Sequence, residues 1–164
     1  MILDDMQTSK KQCVFKDLLV IPLTAPSSQD AMAVLADTLY QEGHVTSEYK
    51  AAVIKRERIF PTGIPTATPA AIPHTDAEFC KHVAMAVGVA VRPISFGVMG
   101  GEQGETIPLR LIFMLSLPEP KTQVAMIQKM VQMLRDNEMM SRMVGSELPE
   151  IKKLLISYFE NGSC

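Results

Sequence analysis

The sequence predicts an α/β domain in which helices cover both faces of a mixed sheet, a three-layer α/β/α sandwich. Two apolar runs, residues 83–91 and 109–117, have strand length and are rich in β-branched and aliphatic residues. Runs that are apolar throughout are typical of strands buried on both faces. Helical periodicity occurs both before and after these two runs, which supplies helices for each face of the sheet.

Length and composition predict one domain with a largely aliphatic core. The chain has 164 residues, of which 47% are hydrophobic and 5% aromatic, with no Trp. Residues 1–14 are polar and irregular and are expected to form a flexible tail before a single domain over residues 15–164. The 3 cysteines are scattered and match neither a disulfide framework nor a CxxC pair.

Charge and hydropathy narrow the function classes. The formal net charge of −2 does not indicate a basic surface that would bind a polyanion, so nucleic acid is not an expected partner. No apolar run is long enough to span a bilayer, and the N-terminus lacks the order of a signal peptide. We therefore expect a cytoplasmic protein that does not insert directly into the membrane.

The first part of the chain predicts a strand followed by two helices. Residues 18–23 form a short apolar run that predicts a buried first strand, which Pro22 is expected to end. Ser27 or Ser28 is placed to cap a helix that ends near Glu42, before Gly43. Its apolar positions share one helical face: Met32, Leu35, Ala36 and Leu39.

The second helix carries a charge on its predicted core-facing line. Thr46 or Ser47 is placed to cap it, and it is expected to end near Arg58. The line runs through Tyr49, Ala52, Val53 and Arg56. A guanidinium on such a line is costly unless it has a partner. Arg56 is therefore a candidate functional residue.

The second part of the chain predicts a β-hairpin and then helices. Pro93 is expected to end the first buried strand, and the glycine-rich residues 100–105 to form the hairpin turn. Thr122 and Ser146 are placed to cap two helices, with a short helix over residues 137–144 between them. Many methionines in these helices keep helical spacing, which favours a place in the core over a partner surface.

His74 lies in a proline-rich stretch, residues 60–76, and is the strongest candidate for chemistry. It follows Ala-Ala-Ile-Pro, a segment that proline stiffens into extended geometry, so the imidazole is delivered at a strand end. Neutral imidazole is a good nucleophile near neutral pH. A histidine that merely caps a proline-rich loop is the structural alternative, and residue chemistry alone leaves both open.

Other residues near His74 suggest partners for such a site. Arg56 is the best available cation for a phosphoryl group, because phosphoryl transfer needs positioning and charge neutralisation. Asp76 is placed to orient one ring nitrogen. A metal site of His74, Cys80 and His82 is a weaker alternative, since the spacing matches no closed zinc pattern.

One further histidine, His44, follows the first helix. It falls in the predicted turn beside Gly43, where a polar side chain is expected to be solvated. We therefore assign it no functional role.

Two runs of the sequence resemble a known family. Lys-Arg-Glu-Arg-Ile-Phe-Pro-Thr-Gly-Ile, residues 55–64, is followed by Ala-Ala-Ile-Pro-His, residues 70–74. Together they resemble the type 2 EIIA components of the bacterial phosphotransferase system, the fructose–mannitol class, and are most similar to its galactitol-type branch. The resemblance covers residues 15–159 and includes the order of the predicted helices.

The resemblance implies a phosphotransferase activity without a metal or an organic cofactor. His74 would accept a phosphoryl group from phosphorylated HPr and pass it to a cysteine of a cognate IIB protein, which serves a membrane IIC. Arg56 matches the active-site arginine of the family. Thr75 replaces a glycine found in many members, and Gln123 stands where mannitol- and fructose-type members have a second histidine.

The resemblance leaves several points open. A regulatory phosphoprotein of the nitrogen-related IIA type is the alternative to a transport phosphocarrier. A binding module without catalysis is a third and weaker alternative. The sugar, the ring nitrogen that reacts and the oligomeric state are not specified by the sequence.

Overall fold

Four strands pair into one mixed sheet. The structure, a computed structural model, describes residues 15–161, so the tail predicted over residues 1–14 lies outside the described residues. The strands are β1 (Asp17–Leu23), β2 (Ala70–Ala71), β3 (Ala84–Gly97) and β4 (Thr106–Ser116). Their spatial order is β1–β3–β4–β2. β1 pairs parallel with β3, β3 antiparallel with β4, and β2 parallel with β4.

Helices cover both faces of this sheet. They are α1 (Ser28–Gln41), α2 (Tyr49–Ile59), α3 (Pro120–Arg135), α4 (Asn137–Val144) and α5 (Leu148–Asn161). Side chains alternate along β4: Phe113 and Leu115 pack in the core with α3, α4 and α5, while Ile112 and Met114 pack in the core with α1 and α2. This arrangement confirms the predicted three-layer α/β/α architecture with a mixed sheet.

The methionines of the C-terminal helices mostly belong to the core, as their spacing predicted. Four of them are fully buried: Met130, Met133, Met140 and Met143. They fill the layer between β4 and the three helices α3, α4 and α5. Across residues 15–161, no helix combines the length and the hydrophobicity that crossing a bilayer requires.

The predicted cap of α1 is confirmed and that of α2 is wrong. Ser27 is the N-cap of α1, and its side chain accepts a hydrogen bond from the backbone N–H of Asp30. α2 begins at Tyr49 after Glu48, with no side-chain cap, so neither Thr46 nor Ser47 performs that function. The helix starts later than its polar residues suggest because Tyr49, the first helical residue, is buried in the core.

The predicted caps of α3 and α5 are also wrong. α3 begins at Pro120, ahead of Thr122, because proline is favoured in a first helical turn where its missing N–H costs nothing. The hydroxyl of Ser146 donates to the carbonyl of Arg142 at 2.7 Å, so it serves the end of α4 instead of the start of α5. Asp136 caps α4 through the N–H of Met139.

Pro93 does not end β3, as the sequence analysis expected. The strand continues to Gly97, and its register with β4 shifts between Val89 and Ile94. Proline is tolerated at such a bulge because no ladder hydrogen bond is required there. The side chain of Arg110 donates to the carbonyls of Ala90 and Val91, which satisfies the backbone of the bulge.

A close backbone approach joins the loop after α2 to the end of β3. Gly63 donates its N–H to the carbonyl of Gly97 at 3.0 Å and accepts from the N–H of Met99 at 2.8 Å. A Cβ at position 63 would lie 2.4 Å from the Gly97 oxygen. The hairpin turn predicted over residues 100–105 connects β3 to β4 just beyond this contact.

We predict that Gly63→Ala lowers the free energy of unfolding by about 1–3 kcal/mol, because the obstructing atom is backbone and cannot rotate away. The matched control is Gly145→Ala, where the nearest atom to a new Cβ lies at 3.7 Å. That control should change stability by less than about 1 kcal/mol. Urea unfolding of both variants measures the difference, and equal stabilities would contradict the prediction.

Candidate active site

His74 lies where β2 leaves the sheet. Pairing of β2 with β4 stops at Ala71, and the chain continues through Ile72 and Pro73 to His74. The carbonyl of Pro73 accepts from the N–H of Leu115 at 3.0 Å. The strand-end position expected from the proline-rich stretch is therefore observed, and the imidazole is held largely buried against the sheet.

The ring of His74 is oriented by backbone. Its Nδ1 lies 2.8 Å from the carbonyl oxygen of Ile72. A carbonyl oxygen only accepts hydrogen bonds, so Nδ1 must carry the hydrogen. In the neutral ring the lone pair then lies on Nε2.

Asp76 occupies a different place from the one expected of an orienting group. Among the contacts of residues 15–161, its carboxylate makes no hydrogen bond with His74, whose Nδ1 is taken by Ile72. Asp76 instead lies 3.9 Å from a guanidinium nitrogen of Arg56, and its side chain is 68% exposed. At this distance and exposure the pair contributes little to stability.

The environment of His74 favours the neutral form of the ring. Burial lowers the pKa of its imidazole below the ordinary value, since desolvation penalises the charged ring. The hydrogen bond to Ile72 opposes this shift. The nearby charge of Arg56 lowers the pKa further, and that of Asp76 raises it. The neutral ring with a free Nε2 lone pair is the nucleophilic form.

Arg56 faces the site and not the core. Its side chain is 38% exposed and stacks over the ring of Phe60, with 5.3 Å between the guanidinium carbon and the ring centroid. The predicted core-facing line through Arg56 is therefore wrong by one residue. The buried positions of α2 are Tyr49, Val53 and Glu57.

Glu57 is a buried group that the sequence analysis did not identify. One carboxylate oxygen accepts from the N–H of Thr62 at 2.7 Å, and the other accepts from its hydroxyl at 2.8 Å. Burial raises the pKa of Glu57 to about 7, while the two hydrogen bonds from Thr62 act in the opposite direction. Glu57 follows Val53 by four residues and Tyr49 by eight, a helical spacing that could have predicted its place on the buried face.

Gln123 contacts the loop that carries His74. Its side-chain N–H groups donate to the carbonyl of Thr75 at 3.2 Å and to the carbonyl of Leu117 at 3.0 Å. Thr75 itself is buried. The amide therefore ties the first turn of α3 to both the end of β4 and the residue after His74.

His44 is buried, so the expectation that it is solvated is wrong. Its Nε2 lies 2.9 Å from a carboxylate oxygen of Asp17, and its Nδ1 lies 3.3 Å from Nδ1 of His82. The hydroxyl of Ser116 donates toward the carbonyls of both histidines. A turn residue is buried here because α1, β1 and the end of β4 converge on it.

The alternative metal site does not assemble. Within residues 15–161, no group of three or more His, Cys, Asp or Glu side chains is arranged to hold a metal ion. His82 pairs with His44 instead of His74. Cys80 is buried, and its thiol lies 3.7 Å from the carbonyl of Asp76, the arrangement of a small core residue.

We predict that Arg56→Gln raises the pKa of His74, because the substitution removes a charge that opposes protonation of the ring. The neutral, nucleophilic ring would then be lost at a higher pH than in the wild type. Arg58→Gln is the control, since Arg58 lies on the same helix but bonds Gln29. NMR titration of the His74 ring measures both. An equal rise of the His74 pKa in Arg58→Gln would contradict the prediction, because the effect would then come from net charge and not from the position of Arg56.

The comparisons with known proteins agree with this architecture. A search of curated proteins finds no significant match. Among solved structures, the mannitol IIA of Escherichia coli superposes with a TM-score of 0.67 at 18% identity, over 90% of this chain and 96% of that chain. A complex of the same organism's mannitol IIA with phosphorylated mannitol IIB gives 0.65 at 20% identity, over 84% and 92%.

A third solved structure belongs to a regulatory protein. The nitrogen regulatory protein IIA-Ntr of Neisseria meningitidis gives a TM-score of 0.65 at 22% identity, over 84% of this chain and 92% of that chain. At these identities the structural likeness shows the fold alone. The family assignment rests on the sequence, which matches the family described as "Phosphoenolpyruvate-dependent sugar phosphotransferase system, EIIA 2" over residues 12–156. The chain therefore belongs to the type 2 EIIA family of the phosphotransferase system.

Proposed function

We propose that this chain is the cytoplasmic phosphocarrier of a bacterial sugar or polyol phosphotransferase system, of the galactitol type. His74 accepts a phosphoryl group from phosphorylated HPr and passes it to a cysteine of a cognate IIB, which supplies the membrane IIC. The observation that carries the proposal is the hydrogen bond from His74 Nδ1 to the Ile72 carbonyl. It leaves Nε2 free as the nucleophile.

The transfer step follows from this tautomer. The Nε2 lone pair forms the bond to phosphorus while the bond to the donor breaks, and the leaving electron pair stays on HPr. Positive charge develops on the ring of His74 during attack. The Nδ1–H bond to Ile72 becomes stronger as that charge develops, so the carbonyl stabilises the phosphorylated ring. The thiolate of IIB then attacks the same phosphorus and restores the neutral imidazole.

Arg56 is proposed to balance the charge of the phosphoryl oxygens. Its guanidinium lies over the Phe60 ring, and one of its nitrogens is 3.9 Å from the carboxylate of Asp76. Phosphoryl transfer depends mainly on positioning and on such electrostatic stabilisation. Gln123 cannot supply a positive charge or titrate, and its contacts with Thr75 and Leu117 support a role in holding the loop.

The surface around the site supports a protein partner. Phe60 is 60% exposed, and Ile59 beside it and Val124 next to Gln123 are also exposed. Exposed apolar side chains beside a reactive group are typical of protein interfaces. The likeness to a mannitol IIA solved with phosphorylated IIB supports a IIB as the acceptor.

A regulatory phosphoprotein of the nitrogen-related type is the second candidate. The likeness to IIA-Ntr of Neisseria meningitidis supports it. We place it second because the Phe-Pro-Thr-Gly-Ile run, residues 60–64, resembles the galactitol-type branch and, together with Gln123, favours the transport carrier. Transfer of the phosphoryl group to a IIB cysteine would favour the carrier; stable capture of another protein without transfer would favour the regulator.

We predict that incubation with phosphoenolpyruvate, enzyme I and HPr places one acid-labile phosphate on the wild type and none on His74→Ala. Intact mass spectrometry counts the phosphate, and NMR of the phosphorylated ring assigns it to Nε2. His82→Ala is the control and should be phosphorylated normally. An unphosphorylated wild type would remove the proposed function, and phosphate on Nδ1 would contradict the proposed tautomer.

We predict that Arg56→Ala lowers the rate of phosphoryl transfer about 10²–10³-fold, the usual effect of losing one preorganised charge-stabilising donor. Rapid-quench measurement of transfer from phosphorylated HPr gives the rate. Arg58→Ala, on the same helix, should stay near the wild-type rate. A wild-type rate in Arg56→Ala would exclude the role given to that residue.

A further inference from the structure

A series of buried hydrogen bonds runs from Glu57 to the reactive ring. The carboxylate of Glu57 accepts both the N–H and the hydroxyl of Thr62, at 2.7 and 2.8 Å. The hydroxyl oxygen of Thr62 accepts the N–H of Ile72 at 3.1 Å. The carbonyl of Ile72 accepts Nδ1–H of His74 at 2.8 Å. All four residues are buried.

The carboxylate determines the direction of the first two bonds. A hydroxyl carries one hydrogen, and that of Thr62 is donated to Glu57 when the carboxylate is ionised, the form that prevails above its pKa of about 7 and that only accepts. The oxygen of Thr62 is then available to the N–H of Ile72 as an acceptor. Because the N–H of Thr62 is also bound by Glu57, the threonine is held at two points.

Ile72 needs this support because the sheet does not supply it. β2 is an edge strand of the described sheet, and the N–H of Ile72 points away from β4. This N–H therefore has no strand partner. A buried N–H without a partner is costly, and Thr62 takes the place of the missing strand. The residue that presents its carbonyl to His74 is therefore positioned through its own N–H.

We propose that Glu57, acting through Thr62, is a positioning residue for the phosphoryl acceptor. It holds Ile72 so that the carbonyl of Ile72 fixes His74 as the Nδ1–H tautomer with its lone pair on Nε2. Glu57 and Thr62 do not touch the phosphoryl group. The catalytic consequence rests on the proposed function, whereas the tautomer is a property of the unphosphorylated protein.

Two substitutions break the series at different bonds. Thr62→Val keeps the shape of the side chain but removes the hydroxyl, so the N–H of Ile72 loses its acceptor. Glu57→Gln replaces one of the two acceptor oxygens with an NH₂ group, which only donates. The N–H and the hydroxyl of Thr62 then no longer each have an acceptor oxygen of their own. Thr62→Ser keeps the hydroxyl and is the matched control for Thr62→Val.

The test combines ring tautomer with transfer rate. Long-range ¹⁵N–¹H NMR of His74 should show one Nδ1–H tautomer in the wild type and in Thr62→Ser. Thr62→Val and Glu57→Gln should show a mixture that includes Nε2–H. Their phosphorylation by phosphorylated HPr should slow by about ten- to hundredfold, since small displacements of a reacting group have effects of this size. Thr62→Ser should stay within about twofold of the wild-type rate.

The outcomes separate this inference from the proposed function. A folded Thr62→Val that keeps the Nδ1–H tautomer and the wild-type rate would overturn the inference. If Thr62→Val does not fold, the ring tautomer and the transfer rate of Glu57→Gln test the inference in the same way. An unphosphorylated wild type would overturn the proposed function alone, because the tautomers of the variants still decide whether Glu57 and Thr62 position the ring.

Discussion

The structure depends on how the backbone is satisfied where β2 ends. Sheet pairing stops at Ala71, and the next residues must reach the surface without leaving buried polar groups unpaired. Thr62 binds the N–H of Ile72, and Leu115 binds the carbonyl of Pro73. Pro73 has no N–H to satisfy, which removes one requirement. A two-residue strand can therefore present a reactive side chain rigidly, because its continuation is held from α2, β4 and α3.

Burial of His74 serves both geometry and charge. The same packing that fixes the ring against Ile72 also desolvates it, and desolvation lowers the pKa of the imidazole. An exposed histidine would be protonated over more of the acidic range and would lose its nucleophilic lone pair. The adjacent Arg56 acts in the same direction on the pKa while remaining accessible to a phosphoryl group. One local arrangement thus places the proposed nucleophile, in an environment that favours its neutral form, beside a permanent cation.

Hydrophobic pattern predicted the layers and the strand-end histidine, because apolar runs and prolines act locally. Helix starts were less predictable: α3 begins at Pro120, and no side-chain oxygen caps α2. His44 looked like a turn residue, but three elements converge on it, a tertiary effect that local sequence does not contain. On α2, Tyr49 and Val53 were correctly placed on the core-facing line, but its last position was assigned to Arg56 instead of Glu57. Hydropathy argues against placing an acidic residue at a buried helical position unless hydrogen-bond donors for its carboxylate are known. For Glu57 those donors belong to Thr62, in the loop that follows the helix.

The Arg-Glu pair at the end of α2 explains why the run from residue 55 to residue 64 acts as one unit. Neighbouring residues on a helix point about 100° apart, so Arg56 faces the site while Glu57 faces inward. Glu57 then binds Thr62 in the loop five residues later, and the adjacent Gly63 allows that loop to approach β3 closely. Arg56 and Glu57, the proposed cation of the site and the proposed positioning residue for His74, thus come from the same helical turn. Displacing that turn would alter the position of Arg56 and the backbone that orients His74 together.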